Sequence, residues 1–368
     1  MSWENKVRKV VPYVAGEQPQ NQNVIKLNTN ECPYPPAPGV EEVLHHFDGN
    51  VLRKYPDPDV TLLRNALADR YQVKPEQVFV GVGSDDVLSM AFLTFFNSDK
   101  PVLFPDITYS FYDVWADLYR IPYECQPLDE DFRWKKEDYL KENGGIVLAN
   151  PNAPTGLAVP ASQIEEVIAA NQDSVVIVDE AYIDFGGKSA LELIDKYDNL
   201  VVVRTFSKSR SMAGLRIGYA ISNPILIKAL NDVKYSYNSY TMNRPSIIMG
   251  TESVKDDAYF KAMVAKVVAT RTRFVESIRP LGFTCLESSA NFVFATHENI
   301  PAKEIFEAAK KAHIYVRYFD KPRIDNYLRI SIGTDEEMDK FVEFLTGYVQ
   351  SIPVSYTHLR AHETLMNL

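Results

Sequence analysis

Seven short strand-like segments, at residues 78–80, 101–104, 121–126, 145–149, 175–178, 200–203 and 216–221, recur along the first two thirds of the chain. Most are runs of Val, Ile or Leu with no polar residue at alternate positions, and helical stretches separate them. A strand that is apolar at every position must be covered on both faces, and parallel neighbours need a crossover between them. The alternation therefore predicts an α/β fold: a large domain with a mostly parallel seven-stranded sheet covered by helices. After about residue 250 the texture changes to long helices (258–278, 302–312, 335–349) and strands at 291–295, 314–317 and 328–332. This predicts a smaller α+β domain, completed by the N-terminal segment. The expected division is 1–45 as an arm joining the small domain, 46–250 as the large domain, 251–352 as the small domain, and 353–368 as a tail.

The tail stands apart. Residues 354–364 match the frame translation of a transposase adapter used in sequencing libraries, so the native chain is expected to end near Ile352. His358 and His362 have helical metal-ligand spacing but no third ligand nearby, and no metal is expected. Cys32, Cys125 and Cys285 are odd in number and far apart, which argues against a disulfide framework and for a reducing cytoplasm. The formal net charge of −10 disfavours nucleic acid or an anionic membrane as partner, while leaving room for a local basic pocket. No apolar run reaches spanning length.

Polar residues cluster where the strand-like segments end, the edge at which open α/β sheets bind ligands. After residue 203 the chain enters Arg204-Thr-Phe-Ser-Lys-Ser-Arg210, then Arg216. An amine at a strand end amid positive charge suits Schiff-base chemistry, which needs the free base; Ser207 and Arg216 suit a phosphate. A solvated loop would explain the same composition. Gly81-Val-Gly-Ser-Asp-Asp86 lies between strand and helix, where it either caps the helix or cups an anion. Asp179 closes an apolar strand and either caps the next turn or faces a cation, with Tyr182 three residues on. Asn150-Pro-Asn-Ala-Pro-Thr-Gly156 follows another strand as a turn that aims Asn152.

Taken together, these motifs resemble the fold-type I pyridoxal-phosphate-dependent aminotransferases, most closely the histidinol-phosphate aminotransferases, over about residues 13–348. The resemblance implies that Lys208 forms the Schiff base with pyridoxal 5′-phosphate and shuttles a proton. It implies Asp179 on the pyridine nitrogen and Tyr182 on the ring hydroxyl. Ser84, Asp85 (through its amide), Ser207 and Arg216 would hold the phosphate, and Tyr109 would stack on the ring. Tyr55 would reach the phosphate of a partner subunit in a homodimer with shared active sites. The family's turn carries Asn where this chain has Ala153, so Asn152, one residue earlier, is expected to serve the ring hydroxyl instead. Arg210 is read as a solvent-facing charge.

For substrate, the resemblance implies Arg329 as the carboxylate or phosphate clamp and Arg317 as a second phosphate ligand. Tyr13 and Tyr237 would close the pocket, and Asn30 lies in a matching segment. The expected reaction is reversible amino transfer between L-histidinol phosphate and 2-oxoglutarate in histidine biosynthesis, in the cytoplasm. An aromatic amino acid aminotransferase, a phosphothreonine decarboxylase on the same scaffold, and a non-catalytic cofactor-binding regulatory module are the alternatives.

Overall fold

A computed structural model describes residues 3–20 and 23–352; the expectation for 353–368, with His358 and His362, lies outside the described residues. The large sheet has seven strands, ordered Val78–Gly81, Gly218–Ser222, Leu200–Thr205, Val176–Asp179, Gly145–Ala149, Val102–Pro105, Tyr123–Gln126. Only Gly218–Ser222 runs against the others, antiparallel to both neighbours. The mostly parallel sheet read from the sequence is therefore present.

The strand side chains show why both faces had to be apolar. Val78, Val80, Ile146, Leu148, Val176, Val178, Leu200 and Val202 pack into one buried cluster. The residues between them, Phe79, Val147, Ile177, Val201 and Val203, pack into a second cluster on the opposite face. Successive side chains on a strand point to opposite faces, so each core takes alternate residues. Helices Ser84–Phe95 and Tyr112–Tyr119 supply the second cluster with Val87, Leu88, Phe92, Tyr112 and Trp115.

The smaller region is built on an antiparallel sheet ordered Arg317–Tyr318, Leu328–Ser331, Phe292–His297, Phe283–Cys285. Helices Asp257–Ile278, Ala302–Lys311 and Asp335–Ser351 surround it, and Phe274, Phe292, Ile305, Ile330 and Phe341 form its core. The expected strand 314–317 is split between two sheets. Ile314–Tyr315 pairs in parallel with Ile25–Lys26 of the N-terminal segment, whereas Arg317–Tyr318 pairs with Leu328–Ser331.

Where the reversed strand meets the first helix, backbone packs on backbone. A Cβ on Gly218 would lie 2.3 Å from the carbonyl carbon of Gly83 and from the amide nitrogen of Ser84. Gly218→Ala must therefore push the Gly83–Ser84 turn away, at an expected cost of about 1–3 kcal/mol, the usual range for an overpacked site. Urea unfolding would measure this, and a variant as stable as the wild type would show that the turn has room to move.

Candidate functional site

Five loops from the carboxyl edge of the large sheet, with Thr29 and Glu31 of the N-terminal segment, enclose a cavity of about 230 Å³. Ser84, Asp85, Tyr109, Asp179, Tyr182, Ser207, Lys208 and Arg216 all line it, together with Ala153. Eight of the residues singled out by the resemblance thus converge on one space.

One end is suited to an anion. Ser84 opens helix Ser84–Phe95, whose first-turn N–H groups lack helical partners and carry the positive end of the helix dipole. Arg216, in a left-handed conformation (φ 52°), sets its guanidinium beside this turn and pairs with Asp85 at 3.2 Å. Gly83 (φ 88°) has to be glycine for this: a Cβ there would lie 2.5 Å from the Arg216 guanidinium. The other oxygen of Asp85 accepts from the Tyr109 hydroxyl at 2.8 Å, so its carboxylate is engaged and the cavity is left to the amides and the arginine. Ser207 is buried and held by Thr205, whose Oγ1 donates to Ser207 Oγ at 3.0 Å.

The other end is suited to a cation. Asp179 continues the face of Ile177 into the second core cluster, where Tyr112 is fully buried. The Tyr112 hydroxyl donates to one carboxylate oxygen at 2.7 Å, and the Ala181 amide donates to the other at 3.1 Å. Burial pushes the Asp179 carboxyl up to about 6 in spite of these two hydrogen bonds. A carboxylate held this way gains most from a positive charge brought into the cavity. Tyr112 was missed in the sequence; its position on the apolar face of an aromatic-rich helix, where a phenol needs a polar partner, was the available signal.

Lys208 points into the same space, with Nζ donating to the Thr29 carbonyl at 3.0 Å and standing 5.7 Å from the Tyr182 ring centroid. Its neighbours are fixed. Ser209 Oγ donates to Asp184 at 2.5 Å, and Arg204 pairs with buried Glu180 at 2.8 Å. Glu180 also accepts from Ser189 Oγ and from the Ala190 amide. These supporting residues were not legible, because the pairing depends on the register that sets Asp179 beside Val203.

Three expectations are corrected. Asn152 does not offer its amide to the cavity: Oδ1 accepts from Thr108 Oγ1 at 2.7 Å, and Nδ2 donates to the Ile107 carbonyl and Thr155 Oγ1. Asn30 does not present a free side chain to a substrate either. It is buried, with Nδ2 on the Tyr182 hydroxyl at 3.0 Å and Oδ1 on Ser331 Oγ at 2.9 Å. Arg210 is not solvent-facing but buried, bonded to the Ser253 carbonyl at 2.7 Å and seated over Phe206 and Phe260.

Arg317 and Arg329 are direct cross-strand partners in the small sheet. Their contacts are backbone carbonyls (Val14 and Asn28) and the faces of Phe292 and Phe319, not carboxylates. Arg329 Nε is buried without a hydrogen-bond partner, and burial pushes its guanidinium below its ordinary value. Two adjacent cations with donors to spare suit an anion. Tyr13 stacks on Phe111 at 4.1 Å, beside the Tyr109 edge of the cavity. Tyr55 and Tyr237 are 79% and 74% exposed and do not line the cavity; Tyr55 stacks on Tyr240.

The raised Asp179 value has a measurable sign. The folded cofactor-free protein holds a proton on Asp179 that the unfolded chain releases near 3.8, so stability falls as pH rises from about 3.8 to about 6. Asp179→Asn is expected to stabilise the cofactor-free protein at pH 8, by at most roughly 3 kcal/mol, and to have little effect at pH 4. The Tyr112 hydroxyl can turn to accept from the new amide. Denaturant unfolding at the two pH values checks this, and destabilisation at pH 8 would contradict it.

Residues 22–345 match the family described as aminotransferase class I and II. A histidinol-phosphate aminotransferase of Lactococcus lactis subsp. lactis is 51% identical over 350 residues, covering 95% of this chain and 97% of the relative. One from Clostridium botulinum (strain Okra / Type B1) is 48% identical over 350 residues, covering 95% and 99%. The crystal structure of histidinol-phosphate aminotransferase from Sinorhizobium meliloti in complex with pyridoxal-5′-phosphate superposes with a TM-score of 0.84 at 25% identity, covering 93% of this chain and 96% of that one. The chain belongs to the class I and II aminotransferase family, with the fold-type I architecture and a likeness to histidinol-phosphate aminotransferases that runs over nearly its whole length.

Proposed function

We propose that this chain catalyses reversible amino transfer between L-histidinol phosphate and 2-oxoglutarate, giving imidazole acetol phosphate and L-glutamate, with pyridoxal 5′-phosphate as cofactor. The observation that carries the substrate is the pair Arg317 and Arg329, side by side on adjacent strands and, among the described residues, with no carboxylate on either. The relatives at 48–51% identity support the same reading.

The residues fit the cofactor at both ends of the cavity. Arg216, Ser207 and the N–H groups at Ser84 suit its phosphate, Asp179 suits a protonated ring nitrogen, and Tyr109 offers a ring beside the space between. When bound, the cofactor supplies a conjugated ring that takes up the electron pair left at the substrate carbon. Asp179 keeps the ring nitrogen protonated by charge pairing, and its burial strengthens that preference. Lys208 Nζ is the amine among the lining residues, and as the free base it takes or returns the proton at the reacting carbon. The Tyr182 hydroxyl, which lines the cavity, would donate to the ring oxygen. Arg329 and Arg317 hold the phosphate of one substrate and the carboxylates of the other, so a single cationic pair serves both half-reactions.

Tyr55 is exposed and does not line its own cavity, and Trp3, Val7, Val11 and Val14 expose an apolar arm. Both features support a homodimer in which Tyr55 reaches the phosphate end of the neighbouring subunit's cavity. Among the described residues no helix is long and apolar enough to cross a membrane. The place proposed for the enzyme is the cytoplasm, in histidine biosynthesis.

Protein reconstituted with pyridoxal 5′-phosphate is expected to show a visible absorbance band and covalent cofactor after borohydride. Lys208→Ala should lose the covalent attachment and roughly 10²–10⁴-fold in rate, the range for losing a positioned acid–base group. A colourless wild type that takes up no cofactor would overturn the reading. For the substrate, Arg317→Ala should lower kcat/KM for histidinol phosphate about tenfold to a hundredfold more than for phenylalanine, the worth of one charge-assisted contact. Equal losses on the two substrates would remove Arg317 from phosphate recognition.

A further inference from the structure

Tyr182 has a hydroxyl whose direction matters, and the structure shows what sets it. The ring packs edge-on against Phe292 of the small sheet at 5.1 Å, and the hydroxyl meets Asn30 Nδ2 at 3.0 Å. An amide N–H can only donate, so the phenol oxygen is the acceptor in this bond. The phenol's own hydrogen is then left to turn into the cavity that Tyr182 lines.

The amide could present either its oxygen or its nitrogen, and Ser331 decides which. Ser331 Oγ accepts from the Asn30 backbone N–H at 2.8 Å. Its own hydrogen therefore goes to Asn30 Oδ1, at 2.9 Å, which leaves Nδ2 for the phenol. The Asn30 carbonyl in turn accepts from Asn291 Nδ2 at 2.9 Å. Asn30 is 1% exposed and left-handed (φ 57°), a conformation that asparagine adopts more readily than most residues. The two other positions close enough to compete do not. Asn152 spends its amide on Thr108, Ile107 and Thr155, and Ala153 brings only a methyl group to the cavity wall.

We infer that Asn30 is a positioning residue for the proposed reaction: by donating to the Tyr182 oxygen, it directs the Tyr182 O–H toward the cofactor ring oxygen. The inference rests on reading the cavity as the pyridoxal-phosphate site. It also gives the small sheet a part in the chemistry. Ser331 and Arg329 lie two apart on one strand, and that strand bonds the N-terminal segment at Leu27, Asn28 and Asn30. The strand that carries the anion-binding arginine therefore also fixes the phenol.

The test follows the visible absorbance of the pyridoxal-phosphate-loaded protein against pH. A donor on the ring oxygen changes the titration midpoint of the bound cofactor, so Tyr182→Phe provides the reference shift. Asn30→Gly removes the amide at a position where glycine is unstrained. It is expected to move the midpoint in the same direction as Tyr182→Phe, by at least half as much, and to add nothing in the Tyr182→Phe background. Asn30→Asp keeps the backbone and the Ser331 contact while losing the donor, and serves if the glycine variant does not fold. An unchanged midpoint, or a shift that persists in full in the Tyr182→Phe background, would overturn the inference. A wild type that takes up no pyridoxal phosphate would show itself before any variant is compared, and would defeat the underlying site reading instead.

Discussion

The ion pair between Glu180 and Arg204 holds the two halves of the site in register. Glu180 follows Asp179 at the end of one central strand, and Arg204 lies one residue from the end of its neighbour, just before the Lys208 loop. Both side chains are shut away from solvent, so the pair stands only because its remaining groups are also satisfied. Ser189 and the Ala190 amide complete Glu180, and Tyr71 and Asp184 attend Arg204. Removing either partner of such a pair leaves an isolated buried charge and costs about 3–5 kcal/mol. The pair is thus a weak source of net stability but a strong constraint on geometry. Asp184 then reaches Ser209, and Thr205 reaches Ser207, so the backbone on each side of Lys208 is tied down. From this fixed backbone the lysine side chain reaches across to the Thr29 carbonyl.

Charge in this protein is distributed unevenly. The chain is acidic overall, with a net charge of −10, yet Lys208 and Arg216 line the cavity, and Arg317 and Arg329 stand side by side in the small sheet. Cationic side chains set in an acidic surface attract small anions locally, while the net charge repels large polyanions. Asp179 and Asp85 divide that field. Asp85 is already engaged by Arg216 and Tyr109, whereas Asp179 keeps a carboxyl raised by burial. The cavity is therefore polarised along its length, positive at the Arg216 end and ready for a cation at the Asp179 end. Such an arrangement orients a ligand carrying a phosphate and a basic ring before any covalent step.

The parts of this arrangement that were legible in the sequence are those fixed by local pattern. Most of the seven strands follow from uninterrupted apolar runs, and Asp179 stands out because it ends one, while Lys208 and Arg216 stand out in the polar stretch between two others. What escaped depended on contacts distant in sequence. The direction of the Asn152 amide is set by Thr108 and Ile107, more than forty residues earlier in the chain. The burial of Arg210 depends on Phe260, carried by a helix of the smaller region. The role of Tyr112 depends on a phenol crossing to a strand end 67 residues later. Periodicity announces that such side chains are buried, but not which polar atom they meet.

The reversed strand Gly218–Ser222 has a consequence for how the site assembles. Because it runs against its neighbours, its beginning rather than its end lies at the cavity edge, so the chain leaves Thr205 and returns at Gly218 within one short excursion. That excursion is closed on itself by Phe206 N–H to the Ile217 carbonyl at 2.9 Å and by Met212 N–H to the Phe206 carbonyl at 3.0 Å. Lys208 and Arg216 thus reach the cavity through a local loop, whose closure entropy is small compared with that of contacts spanning hundreds of residues. Asn30, by contrast, reaches Tyr182 and Ser331 only when distant parts of the chain have come together. The Lys208–Arg216 loop is therefore low in contact order, whereas its pairing with the Ser84–Asp85 turn and the ceiling formed by Asn30 are high. A chain emerging from synthesis would hold the first before it could form the others.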